Sequence, residues 1–248
     1  MRLLVSVASP DDVREAVAGG ADIIDAKDPG MGALGAVPLA RLSGIREAVG
    51  DARPLTAALG DAVDATSIGA LAAAYAEAGA SLVKIGLLGT SNGAQAVMLA
   101  SAAVRGAAKA ASGVVVVAYA DAPHTLSLRA HDVIAVAAHA GAHGVLLDTL
   151  DKDGPGLVGV VSPSDLARWV SAARAAGLLV AVAGKLTAAD LPLLRDLGAD
   201  IAGVRGAACV GGRSGRVSHT LVRTLVECAR AQNEDAARSA SRRSAVTT

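Results

Sequence analysis

Two residues apart, Asp25 and Lys27 close an apolar run in ADIIDAKDPGMGALGA, residues 21–36. A lysine can attack a carbonyl and form an imine, provided the amine is neutral. Its ordinary pKa of about 10.4 must then fall by roughly two to three units. A second ammonium about 4 Å away, at an effective dielectric near 20, is worth about 4 kcal/mol, or a factor of about 10³ in acidity. Lys84 is placed to supply that push on Lys27, while Asp25 pulls the other way or relays a proton. Glycines 30, 32 and 35 spell a dinucleotide fingerprint as a pattern. A genuine one needs an acid at the end of the next strand, about 20 residues on. That strand, PLTAAL, has none before Asp61, so the glycines shape the loop beside the lysine and bind no nicotinamide.

An internal repeat positions these groups. GGADIID (19–25), AGASLVKIG (78–86), AGAHGVLLD (140–148) and LGADIAGVRG (197–206) align on Ala21, Ala80, Ala142 and Ala199, about 60 residues apart. A βα unit takes about 30 residues, so the period is two units repeated four times. Each Gly-Ala reads as a helix stop feeding a strand. The strands between them are RLLVSV (2–7), PLTAAL (54–59), GVVVVAYA (113–120) and LLVAVAG (178–184). Ser9 and Ser164 read as helix N-caps, with Pro10 in a first turn. Eight strand–helix pairs with near-continuous apolar strands predict one α/β domain over 1–232, a closed (β/α)8 TIM barrel. The polar residues 233–248 read as a flexible tail.

Chemistry in such a barrel sits at the C-terminal ends of the strands. Counting four and six residues on from each repeat alanine gives Asp25 and Lys27, Lys84 and Gly86, Leu146 and Asp148, Gly203 and Arg205. Side chains alternate along a strand, so these positions share a face. Charges converging there are costly unless paired or used. The alternative to chemistry is a structural ring of salt bridges, Asp25–Lys84 and Asp148–Lys27. The loop LDTLDKDGPG adds Lys152 beside Asp148, and its spacing does not fit a calcium loop. VAGKL (182–186) and GVRGAACVGGRSGR (203–216) follow the last two strands, where barrels bind phosphate through backbone N–H groups. Gly184, Lys185, Arg205, Gly206, Gly211 and Gly212 are the expected phosphate residues, with Arg213 and Arg216 adding charge. Tyr119, Asp121 and His124 lie at the mouth as further acid/base candidates. Ser6 and Thr56 read as ordinary strand residues.

Composition bounds the function class. The 248 residues carry no net charge, which gives no sign of nucleic acid or acidic membrane as a partner. Two cysteines, Cys209 and Cys228, make no disulfide framework and suit a reducing cytoplasm. No apolar run approaches the roughly 18 residues of a membrane span. With no Phe, two Tyr and one Trp, the core must be built from Val, Leu, Ile and Ala. No cluster with metal-ligand spacing stands out, since the histidines find no cysteine at zinc-site distance.

DIIDAKDPGMGALGA, VKIGL, YADA, LLDTLDKDG, VAGKL and GVRGAACVGGRSGR together resemble the (5-formylfuran-3-yl)methyl phosphate synthase family of methanofuran biosynthesis, from Arg2 to about Cys228. The resemblance implies a class I aldolase-like barrel that condenses two glyceraldehyde-3-phosphate molecules into a furan aldehyde phosphate, losing phosphate and water. It implies a Schiff base on Lys27 with Asp25 beside it, and further roles for Lys84, Asp148 and Lys152. Triose phosphates are the implied partners and no cofactor is implied; self-association stays open. In DAPHTLSLR a proline separates Ala122 from His124, a departure that leaves His124 without an assigned role. A decarboxylase with an Asp-x-Lys-x-x-Asp strand end is a rival, but Gly30 stands where its last acid belongs. A non-catalytic barrel binding a phosphorylated metabolite is the alternative from another class.

Overall fold

The computed structural model describes residues 1–231; the tail expected at 233–248 lies outside them. Eight parallel strands close into a barrel in sequence order: β1 (Arg2–Val7), β2 (Ile23–Ala26), β3 (Leu55–Asp61), β4 (Leu82–Gly86), β5 (Gly113–Tyr119), β6 (Gly144–Asp148), β7 (Leu179–Val182) and β8 (Ile201–Val204). Helices α1 (Pro10–Ala18), α2 (Leu39–Val49), α3 (Ala65–Glu77), α4 (Gly93–Ala108) and α5 (Ala130–Ala140) fill the first five connections. The short α6 (Leu157–Val160) and then α7 (Pro163–Ala175) follow β6, α8 (Leu191–Asp196) follows β7, and α9 (His219–Arg230) follows β8. Between β8 and α9 a two-stranded hairpin, β9 (Cys209–Val210) and β10 (Arg216–Val217), is inserted. The (β/α)8 architecture is the expected one.

The repeat sets the geometry of the barrel floor. Gly20, Gly79, Gly141 and Gly198 all take positive φ, the left-handed turn that ends each helix before the next strand. Two residues on, Asp22 and Asp200 accept the N–H groups of Leu3 and Val180 at 2.8 Å, and Ser81 donates to the Leu55 carbonyl at 2.9 Å. Each tie joins an even strand to the odd strand before it.

Alternation divides the core in two. On β5, Val114 and Val116 face the helices while Val115 and Val117 face the barrel axis with Leu4, Ile23, Leu146 and Ile201. Small residues replace the missing aromatics where helices meet. A Cβ added to Gly106 of α4 would lie 2.1 Å from the carbonyl oxygen of Gly69 on α3, so those backbones touch. The single tryptophan, Trp169 on the buried face of α7, donates its indole N–H to the Ala130 carbonyl at 3.0 Å.

Ser9 caps α1 as expected, accepting the Asp12 N–H. The cap of α7 is Ser162, not Ser164. Pro163 forces the residue before it into extended backbone, which makes Ser162 the flanking position, and its hydroxyl accepts the Asp165 N–H at 3.1 Å. Among the described residues, no helix is long and apolar enough to cross a membrane.

Candidate active site

Three polar residues stand side by side across three adjacent strands. Ser6 of β1 is in register with Asp25 of β2, and Asp25 with Thr56 of β3. All three are buried. The Asp25 carboxylate accepts from the Ser6 hydroxyl at 2.9 Å and the Thr56 hydroxyl at 2.7 Å, and it forms an ion pair with Lys84 of β4. A buried carboxylate is tolerable only when so satisfied. Sequence reasoning treated Ser6 and Thr56 as ordinary strand residues. The available signal was a hydroxyl at the matching position of each strand flanking Asp25.

Lys27 lies one residue beyond β2, its backbone N–H still donating to the Val7 carbonyl at 3.0 Å. Its side chain lines the cavity at the barrel mouth, which encloses about 350 Å³. Its ammonium makes no hydrogen bond or ion pair among the described residues, and the atom is open to the cavity rather than sealed from it. Crowding by protein still governs its charge. Burial pushes the Lys27 pKa down to about 8; Lys84 and Lys152 push the same way, against Asp148 and Asp25. The neighbouring ammonium expected to drive the shift is therefore a lesser cause than burial.

Asp148 ends β6 and is buried. Its carboxylate pairs with Lys152 at 2.7 Å, four residues on, and accepts the Thr149 N–H at 2.8 Å. The Lys152 ammonium also donates to the Thr149 carbonyl. Of the two bridges in the salt-bridge ring, Asp25–Lys84 forms and Asp148–Lys27 does not, because Lys152 takes Asp148 locally. Asp121, from the neighbouring loop, holds that segment by accepting the N–H groups of Leu150 at 2.6 Å and Asp151 at 3.0 Å.

In the second repeat, the position that is Lys27 in the first is a glycine, Gly86, for a steric reason. A Cβ on Gly86 would lie 1.9 Å from Asp61 Oδ1 and 2.6 Å from the Tyr119 hydroxyl. Tyr119 donates to Asp61 at 3.0 Å across that gap, and Asp61 also accepts the Leu88 N–H at 3.1 Å. Burial raises the Asp61 pKa, and burial together with Asp61 raises that of Tyr119.

On the opposite side, Gly184, Lys185, Gly206, Gly212 and Arg213 line the cavity; Gly211 does not. Lys185 has a left-handed backbone, φ 52°, and its ammonium donates to the carbonyls of Asp153 and Gly154. Arg205 also borders the cavity, yet its guanidinium is buried and donates four hydrogen bonds within the protein, so it is no open cation there. His124 is exposed. Among the described residues no group of three or more His, Cys, Asp or Glu is arranged to hold a metal ion.

A family model described as 4-HFC-P synthase matches residues 3–226 of this chain. The chain is 40% identical over 232 residues to a (5-formylfuran-3-yl)methyl phosphate synthase of Methanocaldococcus jannaschii, covering 92% of this chain and 99% of the relative. It is 38% identical over 236 residues to the protein of the same name from Methanothermobacter thermautotrophicus, covering 92% and 98%. Among solved structures, 3-hexulose-6-phosphate synthase superposes with a TM-score of 0.62 at 22% identity, covering 91% of this chain and 100% of the other. KGPDC from Streptococcus mutans superposes with a TM-score of 0.62 at 15% identity, covering 92% and 97%. These structural likenesses show a shared barrel fold.

Proposed function

The chain belongs to the 4-HFC-P synthase family of enzymes, and on that premise we propose that it condenses two molecules of glyceraldehyde-3-phosphate into (5-formylfuran-3-yl)methyl phosphate, a step of methanofuran biosynthesis. The six carbons of two trioses are kept, while one phosphate and two waters leave, which makes the overall reaction that of a lyase. The observation that carries the reading is the Lys27 amine, unpaired among the described residues and with its pKa lowered to about 8, in a cavity where Lys84 and Lys152 are each held by a carboxylate.

In this reading the neutral Lys27 amine adds to the carbonyl carbon of one triose phosphate, and water leaves to give the imine. Loss of a proton from the adjacent carbon gives an enamine, whose carbon bonds to C3 of the second triose once that carbon has lost its phosphate by elimination. The second triose's C2 hydroxyl then closes the ring on the imine carbon, and loss of the second water and of the Lys27 amine leaves the furan and frees the lysine. Proton traffic for the eliminations falls to the Asp148–Lys152 pair, because Ser6, Thr56 and Lys84 already occupy Asp25. Lys84 and Asp25 form a fixed dipole beneath Lys27 that favours charge developing above it. The phosphates meet Lys185, Arg213 and the backbone of Gly184, Gly206 and Gly212.

The test is turnover of glyceraldehyde-3-phosphate, followed for inorganic phosphate and for the ultraviolet absorbance of the furan aldehyde together. Both should rise in proportion. Phosphate release without the chromophore would mean simple elimination from one triose, and the condensation would be lost as a reading.

A further inference from the structure

Asp12 and Arg205 come from opposite ends of the chain and form a buried ion pair at 2.8 Å. Asp12 lies in the first turn of α1, and Arg205 directly follows β8. Each charge is satisfied by protein. Asp12 Oδ2 accepts the Ala8 N–H at 3.0 Å as well as Arg205, and Oδ1 accepts the Val217 N–H at 3.1 Å. Arg205 donates to the carbonyls of Ser6 at 3.0 Å, Arg213 at 3.1 Å and Gly215 at 2.8 Å. The two side chains therefore grip the segment from Gly206 to Val217 at Arg213, Gly215 and Val217, and fasten it to the end of β1 and the start of α1.

What that segment carries explains the grip. Gly206, Ala207, Gly212 and Arg213 line the cavity. Arg213 reaches across the mouth to the Gly32 carbonyl at 2.7 Å, on the loop that follows Lys27. A Cβ at Gly215 would lie 1.9 Å from the Val210 carbonyl oxygen, so the hairpin is drawn tightly on itself at the point Arg205 holds. A loop rich in glycine loses much conformational entropy on ordering, and its backbone N–H groups serve an anion only if they are pre-set.

We propose that the Asp12–Arg205 pair is a lock that positions the loop 206–217 for substrate phosphate, and that neither group is itself a phosphate ligand. The inference rests on the reading of this side of the cavity as the phosphate site. Asp12 and Arg205 are thus positioning residues for substrate recognition, acting through the backbone of Gly206 and Gly212 and the side chain of Arg213.

Asp12→Asn, nearly isosteric, removes the charge that holds Arg205. Inorganic phosphate binding to the intact protein, measured by calorimetry, should weaken at least tenfold, and amide hydrogen exchange over 206–217 should speed up. The preference of Lys27 for glyceraldehyde-3-phosphate over unphosphorylated glyceraldehyde in borohydride trapping should fall by a similar factor. If Arg205 were instead a ligand, releasing it from Asp12 would leave phosphate affinity unchanged or tighter, and that result overturns the lock. Should Asp12→Asn not fold, Arg205→Lys decides. It keeps the charge but cannot span Arg213 and Gly215 at once. The lock requires weaker phosphate binding with faster exchange over 206–217, whereas weaker binding with unaltered exchange contradicts it. A wild-type protein that forms no adduct at Lys27 yet shows these phosphate effects would sink the imine chemistry and leave the lock standing.

Discussion

Lys84 gives its ammonium to the buried carboxylate of Asp25, and that pairing leaves Lys27 without an ion-pair partner among the described residues. Of the four lysines that line the cavity, Lys152 is held by Asp148 and Lys185 by two carbonyls, so Lys27 alone has no partner among the described residues. Replacing Lys84 by Met should be costly, because Asp25 would keep a buried charge with two hydroxyls for company. We expect a loss of about 3–5 kcal/mol in urea unfolding. Adding Asp25→Asn should recover part of it, and a single variant as stable as wild type would show that the pair carries no charge.

Lys27 itself should cost stability near neutral pH. Its amine is driven toward the neutral form, chiefly by burial, so below about pH 8 the fold carries a poorly solvated charge. Between about 8 and the unfolded value of 10.5 the folded state has lost that proton while the unfolded state keeps it, and stability rises with pH. Lys27→Met should therefore be more stable than wild type at pH 7, and the gap should narrow as pH climbs to 10. Unfolding curves at four pH values would show it; a gap that stays constant or widens contradicts the direction of the shift.

Thr56→Val keeps the shape and removes the donor to Asp25. A hydrogen bond to a charged group is worth about 1.5–3 kcal/mol, and the variant should lose roughly that much. The rate of adduct formation at Lys27 should fall as well, because Asp25 and Lys84 would be less firmly held. Stability loss with an unchanged rate would confine Thr56 to a structural part.

How far the sequence carried these conclusions depends on the range of each interaction. The four Gly-Ala helix stops and the strands between them are local signals, and they suffice for the eight-stranded barrel. Asp25, Lys27, Lys84 and Asp148 were legible as a group because alternation fixes which way strand residues point. The pairings within the group were not. Asp148 chose Lys152 over Lys27 through loop geometry that spacing does not encode. Arg205 looked like an open cation because its partner, Asp12, is 193 residues away. Ser6 and Thr56 became visible only once register placed them on either side of Asp25.

Gly86 offers a test of packing at the mouth. Its missing Cβ leaves room for the Tyr119–Asp61 hydrogen bond, so Gly86→Ala should break that bond and destabilise by about 1–3 kcal/mol. The change should be milder in an Asp61→Gly background, where the crowding oxygen is gone. Equal cost in both backgrounds would place the conflict elsewhere.

The most direct measurement of the central claim is borohydride reduction in the presence of glyceraldehyde-3-phosphate, followed by peptide mass spectrometry across a pH series. A reduced triose adduct should be found on Lys27, its rate of formation rising with pH and levelling off above about 8. An adduct on Lys84 or Lys152 instead, or none while the triose phosphate still binds, would contradict the account.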